Sequence, residues 1–192
     1  MQRDPARETV LGVVLAGGAG RRAGGADKGL LDWHGRPLAA AVARRLRPQV
    51  DALWIIANRN PAAYAVWADR VLADAVGGFR GPLEGIATVL ADCDRDWALF
   101  APVDIPDLPS DLAAHMLRAA RAAGAGVAVA HDGVRRQVLC MLARPALWRS
   151  ARDRLQRGDA AVHTWQDACG VLEVDCSDAD GGFANLNDWP AA

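Results

Sequence analysis

Lysine is almost missing from this sequence, and so are several features that would assign the chain to a simple class. Of its 22 basic residues, Lys28 is the only lysine and the others are arginines. Basic and acidic residues nearly balance at a formal net charge of −1, so the chain has no broad basic field that could bind a nucleic-acid backbone. The four cysteines form no C-x-x-C pair, which argues against a zinc knuckle.

Long apolar runs are also missing. The amino-terminal segment MQRDPARETV is polar, and the apolar run after it is too short for a signal peptide or a membrane-spanning helix. We therefore expect a cytoplasmic protein with reduced thiols and no contact with a membrane. The 192 residues, of which 52% are hydrophobic and 23% charged, are enough for one globular domain that spans residues 1–192.

Strand-like and helix-like segments alternate along the whole chain. Apolar runs predict strands at 9–15, 52–58, 71–72, 97–103, 126–132, 137–143 and 171–175. Helices are predicted at 37–47, from 61, from 82, and at 110–123, 145–156 and 160–168. Continuous apolar strands separated by helices indicate a mostly parallel sheet that is covered on both faces. The sequence thus predicts an α/β fold, a three-layer α/β/α sandwich with a Rossmann-like first half.

Polar residues gather just after the predicted strands. The glycine-rich segment 17–28, the segment Asn58–Asn60, Asp74 and Asp104 each follow a strand. In folds of this class ligands bind outside the carboxyl ends of the strands, so these groups should share one edge of the sheet. A glycine loop with cations, amides and carboxylates is the set of groups that a nucleotide and its metal ion require.

The glycine-rich segment LAGGAGRRAGGADKG carries Arg21, Arg22 and Lys28 among six glycines, so its backbone N–H groups and cations can surround an anion. It is not a Walker A loop, because neither Ser nor Thr follows Lys28. It is also a poor dinucleotide fingerprint, since Ala23 stands where a third glycine is needed and the second strand ends in Asn58 instead of an acid. A merely flexible loop would crowd three cations together without benefit.

The retained lysine points to the same loop. A single lysine kept among arginines suggests a pocket sized for an ammonium. An ammonium is a compact charge that can sit close to phosphate oxygens, whereas a guanidinium is broader and planar. Lys28 is therefore a candidate catalytic residue.

The motif L-A-G-G-x-x-R-R-x-G-G-x-D-K-G-L at 15–30 closely resembles the opening motif of the molybdenum cofactor guanylyltransferases, which belong to a wider class of nucleotidyltransferases. The resemblance continues in Asn58 of ANRN, in Asp74, in GPLEG at 81–85, in Asp104 of APVDIP and in FANLN at 183–187. It therefore covers most of the chain.

The sequence departs from the family pattern at three places. Ala23 stands where the family usually has methionine, and Gln137–Val138 stand where a His/Gln-Pro pair is common. The ending NDWPAA replaces a longer final helix, so we expect that helix to be truncated.

The resemblance implies a fold of the nucleotide-diphospho-sugar-transferase type and a Mg²⁺-dependent reaction, with Mn²⁺ as an alternative ion. The implied substrates are GTP and molybdopterin-bound molybdenum. The terminal phosphate of the pterin attacks the α-phosphorus of GTP, pyrophosphate leaves, and the guanine dinucleotide form of the cofactor remains. The implied protein partners are molybdenum-insertion proteins and chaperones of apo-molybdoenzymes, with no nucleic acid and no membrane.

The resemblance also implies the roles of individual residues. The catalytic residues would be Arg22, Lys28 and Asp104. The residues that contact the nucleotide would be Leu15, Ala16, Gly17, Gly18, Arg21, Lys28, Asn58, Asp74, Gly85 and Asp104. The metal ligands would be Asp104 and Asn187.

The polar candidates also have simpler structural interpretations. Asp104 can cap a helix or form a turn, Asn58 can close its strand with an Asx-turn, and Asp74 can be a solvated loop acid. Two other functions stay open as well. A cytidylyltransferase on the same cofactor would differ in its base contacts, and a nucleotide-binding adaptor would keep the loop without turnover. A dehydrogenase is disfavoured because the dinucleotide fingerprint fails.

Overall fold

The computed structural model describes residues 7–17, 27–77 and 81–186, and nine strands and six α-helices alternate within them. The strands are β1 (Val10–Leu15), β2 (Asp32–Trp33), β3 (Arg36–Pro37), β4 (Ala52–Ile56), β5 (Arg70–Leu72), β6 (Trp97–Pro102), β7 (Val127–His131), β8 (Arg136–Ala143) and β9 (Leu172–Asp175). The α-helices are α1 (Leu38–Leu46), α2 (Pro61–Tyr64), α3 (Pro82–Asp92), α4 (Leu112–Ala123), α5 (Trp148–Gln156) and α6 (Val162–Ala168).

Seven of these strands form one sheet in the order β5-β4-β1-β6-β8-β7-β9. Strand β8 runs antiparallel to both of its neighbours, β6 and β7, and all other pairs are parallel. The predicted mostly parallel sheet is therefore confirmed. Its antiparallel strand arises from the tight turn that the sequence predicts around Gly133, where the φ of 89° suits glycine.

Helices cover both faces of the sheet, so the core has two halves. On β1, Val10 and Val14 pack on the side of α1 and α4, while Leu11 and Val13 pack on the side of α3 and α5. This alternation follows from the two-residue period of a strand. A strand buried on both faces must be apolar throughout, which is why the predicted strands appear as continuous apolar runs. The predicted α/β/α layers are confirmed.

The topology brings one end of six strands together. Because β1, β4, β5, β6, β7 and β9 all point the same way, the residues that follow them line one edge of the sheet. The start of the antiparallel β8 joins the same edge. Across the described residues, none of the helices is long and apolar enough to cross a membrane.

Candidate active site

Asn58 links the ends of three neighbouring strands at this edge. Its Nδ2 donates to the carbonyl oxygen of Gly17, after β1, at 3.1 Å and to Oδ2 of Asp74, after β5, at 2.7 Å. Its Oδ1 accepts the backbone N–H of Asp74 at 2.8 Å. A primary amide has two N–H donors, and here both have a protein partner. Asn58 therefore holds Asp74 and the Gly17 backbone in place.

Asp74 is the carboxylate that this arrangement presents. Burial raises the pKa of its carboxyl group, the hydrogen bond from Asn58 opposes that shift, and the nearby charge of Glu84 raises the pKa further. Gly85 leaves room for the group, because a Cβ at position 85 would lie 3.1 Å from Asp74 Oδ1 and 3.1 Å from Ile56 Cγ2. The glycine thus lets helix α3 approach the strand ends closely.

Glu84, in the first turn of α3, is a buried acid that is not among the predicted site residues. Its side chain is fully buried, and Nη1 of Arg152 on α5 donates to Oε1 at 2.5 Å. A buried carboxylate requires such a partner because burial disfavours charge. The ion pair fastens α3 to α5 behind Asp74. From the sequence alone, an acid in a first helical turn indicates no more than a favourable interaction with the helix dipole.

Lys28 and Asp104 meet at the same edge of the sheet. Lys28 lies in a 3-10 turn, Lys28–Leu30, and Asp104 follows β6. Lys28 Nζ donates to Asp104 Oδ2 at 2.9 Å, and both side chains are largely shielded, with relative exposures of 29% and 16%. The two residues are 76 positions apart in the chain, so only the topology brings them together.

The other oxygen of Asp104 shows what the group can do. Asp104 Oδ1 is buried and has no hydrogen-bond partner within the described residues, while the backbone carbonyl of Asp104 accepts the N–H of Leu186 at 3.0 Å. A buried carboxylate oxygen without a partner is costly unless another group binds it. Asp104 lies in the turn that follows β6, as the sequence also permits, and its buried Oδ1 makes it suitable as a metal ligand from that position.

The buried oxygen of Asp104 is compatible with a Mg²⁺ site. In the described ranges, no cluster of three or more His, Cys, Asp and Glu side chains could hold a metal. Mg²⁺ rarely needs such a cage, because one or two carboxylates, substrate phosphates and waters complete its octahedron. The buried Oδ1 of Asp104 fits the part of a protein ligand in an arrangement of this kind.

Some of the remaining predicted nucleotide and metal contacts lie within the residues that the structure describes, and others lie outside them. Leu15 ends β1 at the edge, and the N–H of Ala16 donates to the carbonyl of Ile56 at 2.9 Å, so this amide has a protein partner. Gly17 adjoins Asn58, and a Cβ there would lie 3.1 Å from Asn58 Nδ2. The predicted residues that lie outside the described ranges are Gly18, Arg21, Arg22 and Asn187.

Comparison with known proteins places this site in context. A family model described as the MobA-like NTP transferase domain matches residues 12–170. The molybdenum cofactor guanylyltransferase of Shewanella amazonensis is 41% identical over 175 residues, which cover 91% of this chain and 89% of that protein. The enzyme of the same name from Mannheimia succiniciproducens is 38% identical over 180 residues, which cover 94% and 95%.

Solved structures share the fold at lower identity. Molybdopterin-guanine dinucleotide biosynthesis protein A from Archaeoglobus fulgidus is similar with a TM-score of 0.70 at 17% identity, over 88% of this chain and 84% of that one. The 2-C-methyl-D-erythritol 4-phosphate cytidylyltransferase from Thermus thermophilus is similar with a TM-score of 0.66 at 16% identity, over 92% and 93%. Both similarities support the predicted nucleotidyltransferase type of fold.

Proposed function

We infer that this chain, which belongs to the MobA-like NTP transferase family, is a molybdenum cofactor guanylyltransferase. It transfers GMP from GTP to the terminal phosphate of molybdenum-bound molybdopterin and releases pyrophosphate. Sequence identity of about 40% to enzymes of that name, over most of the chain, supports the activity. The polar side chains at the ends of the strands are chemically suited to it. The observation that carries the assignment of the site is the Lys28–Asp104 pair, with one buried carboxylate oxygen that has no partner among the described residues.

Base recognition falls to Asp74 in this proposal. Guanine offers the N1–H and N2–H₂ donors beside its O6 acceptor, and a carboxylate can accept from both donors. Asn58 acts by holding Asp74 through two hydrogen bonds, and Gly85 leaves the space in which the carboxylate stands. The predicted nucleotide contact of Asn58 thereby becomes a positioning role.

Transfer of the guanylyl group requires the protein to align the phosphates and neutralise their charge more than to form covalent bonds. An in-line attack on the α-phosphorus requires two anions to be held together, and negative charge grows on the departing pyrophosphate. Lys28 supplies a fixed positive charge at the strand edge. An ammonium carries three donors, so it can bind Asp104 and a phosphate oxygen at the same time. Arg21 and Arg22, which we propose to bind the triphosphate, lie outside the described residues.

We propose Mg²⁺, or Mn²⁺ in its place, as the ion of this reaction. Asp104 would hold it through Oδ1 while Lys28 fixes Oδ2, and Asn187 is proposed as a further ligand. When bound, such an ion neutralises phosphate charge and polarises the phosphoryl group. Lys28 then has the additional task of orienting the Asp104 carboxylate.

The protein's surroundings form part of the same proposal. We propose that residues 1–192 act as one nucleotidyltransferase domain in the cytoplasm. Its four cysteines, which are free thiols, are compatible with a reducing compartment. We propose molybdenum-insertion proteins and chaperones of apo-molybdoenzymes as partners that deliver and accept the cofactor.

Replacement of Asp104 tests the assignment. With Mg²⁺ and a molybdopterin-loaded acceptor, Asp104→Asn should bind GTP but form the dinucleotide at least about 100-fold more slowly, because a positioned charge is lost. The matched control is Asp107→Asn, an exposed acid three residues further along the same loop, which should keep wild-type turnover. Near-normal activity of Asp104→Asn at saturating Mg²⁺ would contradict the assignment.

A further inference from the structure

We propose that Tyr64 and Asn60 are positioning residues for Lys28, and that they act through the carboxylate of Asp27. The inference deepens the proposed function and rests on it, because it explains what fixes the catalytic lysine. Asp27 lies in the motif at 15–30 and Asn60 in ANRN, but the resemblance assigns no role to either residue or to Tyr64.

Tyr64 is the only tyrosine of the chain and is completely buried at the end of α2. Its Oη donates to Asp27 Oδ1 at 2.5 Å. Burial, and then the hydrogen bond to Asp27, raise the pKa of the tyrosine, so the phenol stays protonated and remains a donor. A buried phenol with an apolar body is well suited to fix the direction of a carboxylate, since its ring is held by packing on all sides.

Asn60 holds the second oxygen of the same carboxylate. Its Nδ2 donates to Asp27 Oδ2 at 3.0 Å. The residue has a φ of 48°, in the left-handed region that asparagine tolerates better than most residues, and its carbonyl begins α2 by accepting the N–H of Ala63 at 2.9 Å. Both oxygens of Asp27 are thus held by one segment, the connection between β4 and β5.

Asp27 transmits this constraint to Lys28. It is the residue that precedes the 3-10 turn Lys28–Leu30, and its carbonyl accepts the N–H of Leu30 at 3.0 Å. The position of the carboxylate therefore sets the start of the turn whose first residue is Lys28, and the ammonium of Lys28 reaches Asp104 from there.

Gly29 shows how closely the turn and the tyrosine fit. A Cβ on this buried glycine would collide with Tyr64 Oη and lie 2.9 Å from Tyr64 Cε1. The sequence D-K-G therefore combines an acid for Tyr64, the lysine and a residue small enough to pass the phenol. A hydroxyl that only filled a gap would not need a carboxylate partner and a glycine at the same place.

The geometry also joins the two halves of the site. Asn58 and Asn60 lie on the same segment, and Asn58 contacts Asp74 on the base side while Asn60 contacts Asp27 on the phosphate side. Displacement of this segment would therefore move the base acceptor and the lysine together.

The sole lysine allows a direct test. Lysine labelled with carbon-13 at Cε gives one side-chain signal, from Lys28. We expect Tyr64→Phe, which keeps the buried ring, to shift that signal toward the position of a solvated lysine. The control Ser150→Ala removes a partly buried hydroxyl from α5, where it donates to Leu147 and accepts from Trp165, and should leave the signal unchanged. An unmoved Lys28 signal in folded Tyr64→Phe would overturn the proposal.

Kinetics supply the second readout. Tyr64→Phe should lower kcat about tenfold, the scale of one hydrogen bond to a charged group, and change the KM for GTP less than about twofold. In a Lys28→Ala background the same substitution should have no further effect on kcat, because its route to the reaction has gone. Effects that multiply would indicate general structural damage and would contradict a role through Lys28.

A second variant protects the test against misfolding. Asn60→Gly removes the other donor to Asp27 at an exposed position, and glycine accepts the left-handed backbone without strain. It should shift the Lys28 signal in the same direction. If the wild-type chain formed no product from GTP, the proposed function would fail, while the Lys28 signal would still decide whether Tyr64 and Asn60 place the lysine.

Discussion

For a single residue, Lys28, the structure sets two geometric requirements. The lysine must approach Asp104 within hydrogen-bond distance, and it must do so from a turn that is packed against Tyr64 through Gly29. A compact ammonium satisfies both. A guanidinium has a broad planar fork whose best partners are bidentate, and it cannot occupy the same space without moving the turn.

We therefore predict that Lys28→Arg will be nearly as damaging to turnover as Lys28→Ala, although it preserves the charge. Thermal unfolding should separate the two variants, because Lys28→Ala leaves the largely shielded carboxylate of Asp104 without its ammonium partner, whereas Lys28→Arg keeps a positive charge. Steady-state kinetics and thermal unfolding of the two variants provide the measurement. Wild-type-like kinetics for Lys28→Arg would mean that the single lysine is an accident of composition.

Asp74 gives the site a pH dependence. Burial raises the pKa of its carboxyl group in the folded protein above the ordinary value. The protonated form is thus favoured by folding, so this stabilisation is complete below the ordinary aspartate pKa and disappears as the pH rises through the raised one. Where the group is ionised it costs stability, and under the proposed function that cost serves to provide an acceptor for guanine.

Asp74→Asn should change both the stability of the protein and its preference for GTP. At neutral pH the variant should melt at a higher temperature than the wild type, and the difference should shrink as the pH is lowered through the range in which Asp74 protonates. Its preference for GTP over CTP should fall by roughly 1–3 kcal/mol, the cost of a mismatched buried polar partner. Thermal melts across pH and equilibrium nucleotide titrations would measure the two effects. An unchanged GTP/CTP ratio would show that the base is recognised elsewhere.

For single residues, the sequence predicts the position of a polar group in the fold but not its hydrogen-bond partners. The polar groups Asn58, Asp74 and Asp104 were predictable as an edge cluster, because each follows an apolar strand. Their mutual contacts were not predictable, since the direction of an amide depends on which partners the fold brings within reach. The sequence predicts that Asn58 contacts the nucleotide; in the structure both of its side-chain N–H donors bind protein oxygens. The functional roles predicted for the described site residues stay predictions, as do those of Gly18, Arg21, Arg22 and Asn187.

At the scale of elements, the 3-10 turn Lys28–Leu30 depends on glycine at its centre. Gly29→Ala should lower both the melting temperature and kcat, because the added methyl group cannot avoid the buried ring of Tyr64. Gly126→Ala is the matched control, since the nearest atom to a Cβ there is Leu147 Cδ1 at 3.8 Å. Melting curves and turnover of both variants provide the test. Equal behaviour of the two would show that the turn tolerates displacement.

The segment 181–186 is an element of the site as well as of the fold. Its Gly181 has a φ of 105°, Gly182 donates to the carbonyl of Asp107 at 2.9 Å, and Leu186 donates to the carbonyl of Asp104 at 3.0 Å. Phe183 is buried in the core on the α1 side of the sheet. The segment therefore packs directly on the turn that presents the Asp104 carboxylate.

Removal of every residue after Asp180 should consequently reduce turnover and not only the melting temperature. A shorter truncation after Leu186 keeps these contacts and removes Asn187, so the pair separates packing from the proposed metal ligand. Activity as a function of Mg²⁺ concentration is the measurement. Normal turnover of the longer truncation with a lower melting temperature would show that the segment serves packing alone.

Elements differ in how far the sequence predicts them. The central strands β1, β4, β6 and β7 were predictable because a strand buried on both faces is apolar at nearly every position. The edge strands β5 and β9 are short and partly exposed, so their apolar signal is weaker. The hairpin β2–β3 was not predictable, since each strand has only two residues, and its turn relies on positive φ values at His34 and Gly35. The ion pair between Glu84 and Arg152 was equally hidden, because it joins two helices that are distant in the chain.

At the scale of the whole molecule, one topological fact organises the account. The parallel arrangement of six strands collects the groups that follow them at a single edge, which carries both the Asn58–Asp74 contact and the Lys28–Asp104 pair. The balanced net charge is consistent with a protein that recognises anions locally instead of through a broad field. We therefore propose that this edge binds GTP and transfers its guanylyl group.

The release of pyrophosphate from each nucleotide is the direct test of this guanylyl transfer. Purified protein is incubated with Mg²⁺, a molybdopterin-loaded acceptor and either GTP, CTP or ATP, and the initial rate of pyrophosphate formation is measured. We predict that GTP supports pyrophosphate release. The rates with CTP and ATP should be lower by about tenfold to 100-fold, which is the discrimination that one or two buried polar contacts supply. Equal or faster release with CTP would make the protein a cytidylyltransferase, and GTP binding without any release would make it an adaptor; either result would contradict the account.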